Sequence, residues 1–150
     1  MKKILYIDMD NVVVDFASAF DKVDPDLLEK YKNDPDEIPG IFSLMDPMPG
    51  AIESVELLNK QYDIYFLSTA PWNNPSAWSD KLLWIQKYFP KIGCKKLILS
   101  HNKHLNMGDY LIDDRLANGA EQFKGTHLHF GQAGMEGWEK VLKNLNNGRV

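Results

Sequence analysis

Five short apolar runs constrain this chain more than any other feature: Ile4–Ile7, Ile64–Leu67, Leu97–Leu99, Tyr110–Ile112 and His127–Phe130. Each is too short for a free-standing helix and is bounded by charged or turn-forming residues, the pattern of a buried strand. Stretches with helical spacing lie between them. Ile52, Val55 and Leu58 share a face after the Pro49-Gly50 turn. Trp78, Leu82, Ile85 and Phe89 step at helical intervals behind Asn74-Pro75, an N-cap followed by proline at the first helical position. Trp138, Val141, Leu142 and Leu145 form the last stripe. The alternation predicts an α/β fold: a mostly parallel, Rossmann-like sheet with helices on both faces.

One stretch interrupts this rhythm. Residues 15–46 are rich in Asp and Pro and are punctuated by Asn33-Asp34-Pro35-Asp36 and Ile38-Pro39-Gly40. They read as a small lid inserted after the first strand, with helical pieces near Phe16–Phe20 and Asp26–Tyr31, while residues 1–14 and 47–150 make the core. At 150 residues the chain matches the usual size of one domain.

Composition narrows the partners. Seventeen Lys and Arg against 21 Asp and Glu give a net charge of −4, a poor basis for gripping a nucleic acid polymer. A single cysteine, Cys94, excludes an internal disulfide and a cysteine-rich zinc site and suits a reducing, cytoplasmic setting. It reads as an inert, partly buried thiol. No segment approaches the ~20 apolar residues of a membrane span. The apolar run after Lys2-Lys3 is stopped by Asp8, too early for a secretion signal. The sequence leaves a homodimer open.

In an open parallel sheet, ligands bind at the carboxyl ends of the strands. Here those ends carry Asp8-Met9-Asp10, Ser68-Thr69 and Asp113-Asp114, with Lys103 following the third run. Carboxylates crowded on one rim repel one another and raise each other's pKa unless a cation compensates. A hard divalent ion with oxygen ligands, Mg²⁺ foremost, is the natural solution. Lys103 and the hydroxyls of Ser68 and Thr69 add a setting for a phosphate dianion, and an aspartate can serve as nucleophile in phosphoryl transfer. Residues two apart share a side of an extended segment, so Asp8 and Asp10 are expected side by side, one attacking and one handling protons.

The order Asp8-Met9-Asp10-Asn11-Val12, Ser68, Lys103, Asp113-Asp114 resembles the four motifs of the haloacid dehalogenase (HAD) superfamily of phosphatases. The strings DMDNVVVDF, DPMPGAIESV, DIYFLSTAP, WIQKYF and DYLIDDR are similar to the 5′(3′)-deoxyribonucleotidases within it. The resemblance implies a Mg²⁺-dependent phosphomonoesterase for nucleoside monophosphates. Asp8 would form an aspartyl phosphate. Asp10 would protonate the leaving oxygen and then deprotonate water. Ser68, Thr69 and Lys103 would hold the phosphate. The metal would lie on the carboxylates of Asp8 and Asp113 and the main-chain carbonyl of Asp10, with Asp114 in support. Asn11 stands where family members usually carry glycine, and the lid is shorter than in the vertebrate enzymes. Trp72 falls near a position where some members place a lysine.

Plainer readings stand beside these. Lid and rim aromatics Phe16, Phe42 and Trp72 are placed to stack on a base or exclude water, yet are also ordinary core candidates. His127-x-His129 presents two imidazoles on one strand face with no third ligand, which favours a structural pair. His101 and His104 carry no distinct signal. A receiver-like phosphorylatable module also combines acids, a hydroxyl and a lysine, but in another order. A sugar phosphate or phosphoglycolate remains open as substrate. Charge is also unevenly spread: residues 15–46 hold nine acids and three bases, a net −6, and the remainder nets +2. An acidic lid over a mildly basic body suits small phosphates better than polyanions.

Overall fold

The computed structural model, described over residues 1–146, contains all five expected strands. β1 (Lys3–Ile7) is followed by β2 (Val14–Asp15), α1 (Pro25–Lys30), β3 (Asp46–Pro47), α2 (Ala51–Leu58), β4 (Tyr62–Ser68) and α3 (Pro75–Tyr88). β5 (Leu97–Leu99), β6 (Tyr110–Asp113), β7 (Thr126–His129) and α4 (Trp138–Asn146) complete the chain. The main sheet has the order β5-β4-β1-β6-β7, and every neighbour pair in it is parallel. The fold is the expected α/β, Rossmann-like sheet. Strand order reverses at β1, the point from which successive connections run to opposite edges.

Side-chain alternation assigns the two faces. Leu5, Ile7, Ile64, Phe66, Ile112 and Leu128 pack with α2, α3 and α4 in one large apolar cluster. Tyr6, Leu67 and Leu111 face the other way and meet Ala120 and Phe123. That second face is covered by 3-10 turns, Lys103–Leu105 and Ala120–Gln122, rather than by long helices. Connections to β6 and β7 are short, so little more than a turn fits there. No helix among the described residues is long and apolar enough to cross a membrane.

The segment between β2 and β3 is tied at its base by their antiparallel pairing, Val14 with Pro47 and Asp15 with Asp46. Between them run a 3-10 helix at Phe16–Lys22, then α1, and two further 3-10 turns at Pro35–Glu37 and Ile41–Leu44. Val23, Ile38, Ile41, Phe42 and Met45 of this segment join the main apolar cluster. It has no separate core.

Two expectations are corrected. The buried face of α3 is Ala77, Lys81, Trp84 and Ile85, not the stripe through Leu82, which is 46% exposed. The helix is therefore turned to bring a lysine inward. Cys94 is exposed rather than partly buried.

Asn74 also departs from its expected role. Its side chain caps nothing and instead donates to the main-chain oxygens of Asp36 at 2.8 Å and Ile38 at 3.1 Å. It is 2% exposed, and it fastens the inserted segment to the start of α3. Asn74→Ala leaves two carbonyls short of a donor, and urea denaturation is expected to show a loss of about 1–3 kcal/mol. A loss under ~0.5 kcal/mol would contradict this anchoring role.

Candidate active site

The carboxyl ends of β1, β4 and β6 open into a cavity of about 450 Å³, within the range of small-molecule sites. Asp8, Asp10, Thr69, Lys103, Asp113 and Asp114 line it from the sheet side. Phe16, Asn33, Pro35 and Asp36 line it from the inserted segment, and His101 and Arg115 complete its rim.

Strand parity sends the carboxylates of Asp8 and Asp113 toward the face that carries Leu111 and Tyr6. There the turn Lys103–Leu105 delivers an ammonium. Lys103 Nζ lies 3.1 Å from Asp8 Oδ1 and 2.5 Å from Asp113 Oδ2, with all three side chains under 10% exposed. The turn is held by Lys103 N–H donating to Asn118 O at 2.8 Å. Gly119 packs against it with φ +84°, where a Cβ would lie 2.3 Å from His104 Nδ1; only glycine meets both conditions.

Ser68 has the opposite parity and points toward α3. Lys81, fully buried, rises from that helix and donates to Ser68 Oγ at 2.7 Å and to Asp10 Oδ2 at 2.9 Å. Its ammonium also sits 4.7 Å from the centre of the Phe42 ring. Lys81 is the main residue that the sequence reading missed. The signal was present: Ala77, Lys81, Trp84 and Ile85 follow helical spacing once a lysine is admitted to the inward stripe.

Contrary to expectation, Asp8 and Asp10 do not lie side by side on an extended segment, because β1 ends at Ile7. The chain leaves β1 at Asp8 and turns, with the N–H groups of Val12, Val13 and Val14 all donating to Met9 O. Asn11 adopts φ 60°, a conformation that asparagine tolerates better than most residues. The turn sends each carboxylate to a different ammonium, Asp8 to Lys103 and Asp10 to Lys81.

Other expected residues fall as follows. Ser68 is fully buried beneath the cavity and accepts from Lys81, leaving its own O–H to donate. Thr69 lines the cavity, but its hydroxyl donates to Ser100 O at 2.7 Å. Phe16 is on the wall. Phe42 is not: it lies behind Phe16, ring centres 5.8 Å apart, and is 3% exposed because its ring packs in the core. Trp72 is 78% exposed and meets the cavity only through His101, edge-on at 5.9 Å.

Asp8, Asp113 and Asp114 each offer a carboxylate oxygen, all within 4.8 Å of one another. Among the described residues only Lys103 stands in direct ionic contact with this group, so the donor set is three hard oxygens with surplus negative charge. Such a set fits Mg²⁺. Burial pushes Asp8 and Asp10 above the ordinary carboxylate range, opposed by Lys103 and Lys81 respectively. Burial and the neighbouring Asp8 carry Asp114 to about 7.

Comparison with known proteins locates the chain. Residues 23–143 match the model of the family described as 5′ nucleotidase, deoxy (pyrimidine), cytosolic type C. A protein of Vibrio phage KVP40, provisionally named a 5′(3′)-deoxyribonucleotidase, is 52% identical over 146 residues, covering 97% of this chain and 86% of that one. The 5′(3′)-deoxyribonucleotidase of Bacillus subtilis strain 168 is 31% identical, covering 87% of this chain and 86% of its own.

Asp114 generates a pH test of this charge balance. Between 3.8 and about 7 the folded chain holds a proton that the unfolded chain has released, so this group lowers stability as pH rises through that window. In EDTA, Asp114→Asn is expected to raise the melting temperature at pH 8 and leave it unchanged at pH 3.5. An equal shift at both pH values would contradict the assignment.

Proposed function

Given that the chain belongs to the 5′(3′)-deoxyribonucleotidase family of HAD-like phosphatases, we propose that it hydrolyses deoxyribonucleoside monophosphates through an aspartyl-phosphate on Asp8. It is a phosphoric monoester hydrolase of the 5′-nucleotidase type. One observation carries the mechanistic reading: Asp8 and Asp10 line the same cavity but are paired with different buried lysines.

In the first step an Asp8 carboxylate oxygen attacks phosphorus, the ester P–O bond breaks, and the departing nucleoside oxygen takes a proton from Asp10. In the second step water attacks the phosphorus of the acyl phosphate, giving its proton to Asp10. Phosphate leaves and Asp8 regains its carboxylate. The burial that raises Asp10 favours its protonated form as acid, and Lys81 restrains that rise so that it can return as base. Lys103 and the Thr69 corner of the cavity hold the phosphate oxygens, with the Ser68 hydroxyl below them. Asp8 and Asp113 through their carboxylates and Asp10 through its main-chain carbonyl would hold Mg²⁺, with Asp114 beside them. That ion would offset charge on the transferring phosphoryl group.

The residues between β2 and β3 act as a small cap. Phe16 offers an aromatic face inside the cavity, suited to a nucleobase. The segment's net charge of −6 over residues 15–46 disfavours polyanions at the mouth.

A phosphate-release screen over 5′- and 3′-nucleotides, deoxy and ribo, beside sugar phosphates and phosphoglycolate tests the proposal. Deoxyribonucleoside monophosphates are expected to be preferred, with Mg²⁺ required and EDTA abolishing turnover. Asp8→Asn is expected to reduce kcat by more than about 10³-fold. Robust turnover by that variant would remove Asp8 as nucleophile, and preference for a non-nucleotide would replace the substrate class.

A further inference from the structure

The histidines of β7 have no part in the chemistry above, yet their contacts end on the acidic loop. Register places His127 beside Leu111 and His129 beside Asp113. Both side chains therefore project from the same sheet face as the Asp113 carboxylate. Neither imidazole touches that carboxylate. His127 Nε2 lies 3.1 Å from the main-chain oxygen of Asp113, and His129 Nε2 lies 2.9 Å from that of Asp114. A carbonyl oxygen only accepts, so each Nε2 carries the hydrogen. The rings stack with centres 5.4 Å apart and planes 21° from parallel, so each limits the rotation of the other.

These contacts rule the pair out as a metal site through Nε2, since both atoms are turned to carbonyls. Their effect falls on the neighbouring peptide planes. The Asp113 oxygen is within the sheet ladder, where it also accepts from Phe130 N–H at 3.0 Å. The Asp114 oxygen lies one residue beyond the end of β6, where the ladder has stopped. Three carboxylates converge within 4.8 Å just here, and their mutual repulsion works to splay the loop that carries two of them.

We propose that His127 and His129 are positioning residues that clamp the Asp113 and Asp114 carbonyls and so fix the direction in which both carboxylates face a divalent cation. Partners one step removed from a metal orient its ligands, and their loss typically weakens binding by about 10–100-fold. Here the orienting contact is made to the ligand's own peptide oxygen rather than to its carboxylate. The inference rests on the reading of Asp113 as a metal ligand, and the two can fail separately.

Calorimetric titration of Mg²⁺ into the protein, without substrate, reads the effect directly. His127→Phe/His129→Phe keeps flat rings and strand preference but removes both donors. His127→Gln/His129→Gln keeps an N–H at nearly the reach of Nε2. The Phe pair is expected to weaken Mg²⁺ binding by about tenfold or more, and the Gln pair to stay within about threefold of the parent. If the Phe pair does not fold, His129→Phe alone, at a half-buried position of an edge strand, is expected to weaken binding by about fivefold or more. Parent-like Mg²⁺ affinity in the folded Phe variant would overturn the proposal. So would a Gln pair as weak as the Phe pair, because packing and not the donor would then be responsible. Asp113→Asn separates the two readings: if it binds Mg²⁺ like the parent, the metal reading falls; if it loses Mg²⁺ while the Phe pair keeps it, only the clamp falls.

Discussion

Two buried ammonium groups hold this site together, one on each side of the sheet. Lys103 reaches Asp8 and Asp113 from the face covered by short turns, and Lys81 reaches Asp10 from the face covered by helices. Charges taken out of water at such a density are tolerated only when paired and hydrogen-bonded. Each lysine also restricts which acid can do what. Asp8 sits with Asp113 and Asp114, and Asp10 stands apart, paired with Lys81 through Oδ2 while its Oδ1 is buried and without a partner among the described residues.

The topology explains why the lysines come from opposite directions. β1 is central, and connections run from it first toward β5 and then toward β7. Right-handed crossovers of opposite sense place their connecting segments on opposite faces. A lysine on α3 and a lysine on the turn before β6 therefore arrive from the two sides of the same strand end. Parity does the rest, turning Asp8 and Asp113 one way and Ser68 the other.

The strands and the acids at their ends were legible in the sequence because short apolar runs that stop at polar residues have few other interpretations. Asn11 was legible too, as a residue able to take the positive φ it adopts. What misled was geometry between elements. Alternation would put Asp8 and Asp10 together, but it holds only while a strand lasts, and the chain turns at Met9. Lys81 was hidden because an amphipathic stripe is sought among apolar residues, and its burial makes sense only once Asp10 and Ser68 are seen above it. Phe42 and Phe16 look alike in sequence, yet one ring backs the other. Trp72 stands outside the cavity. The contacts of His127 and His129 depend on register between β6 and β7, which no local pattern specifies.

The account's central claim is that the two lysines divide labour between Asp8, which makes the bond to phosphorus, and Asp10, which moves protons. The most direct measurement is the pre-steady-state burst of Asp10→Asn with two substrates in Mg²⁺. p-Nitrophenyl phosphate releases a good leaving group that needs no proton, whereas a deoxynucleotide releases an alkoxide that does. The account predicts a retained p-nitrophenolate burst within about tenfold of the parent, and a deoxynucleoside burst slowed by about 10²–10⁴-fold. Equal slowing of both bursts would contradict it.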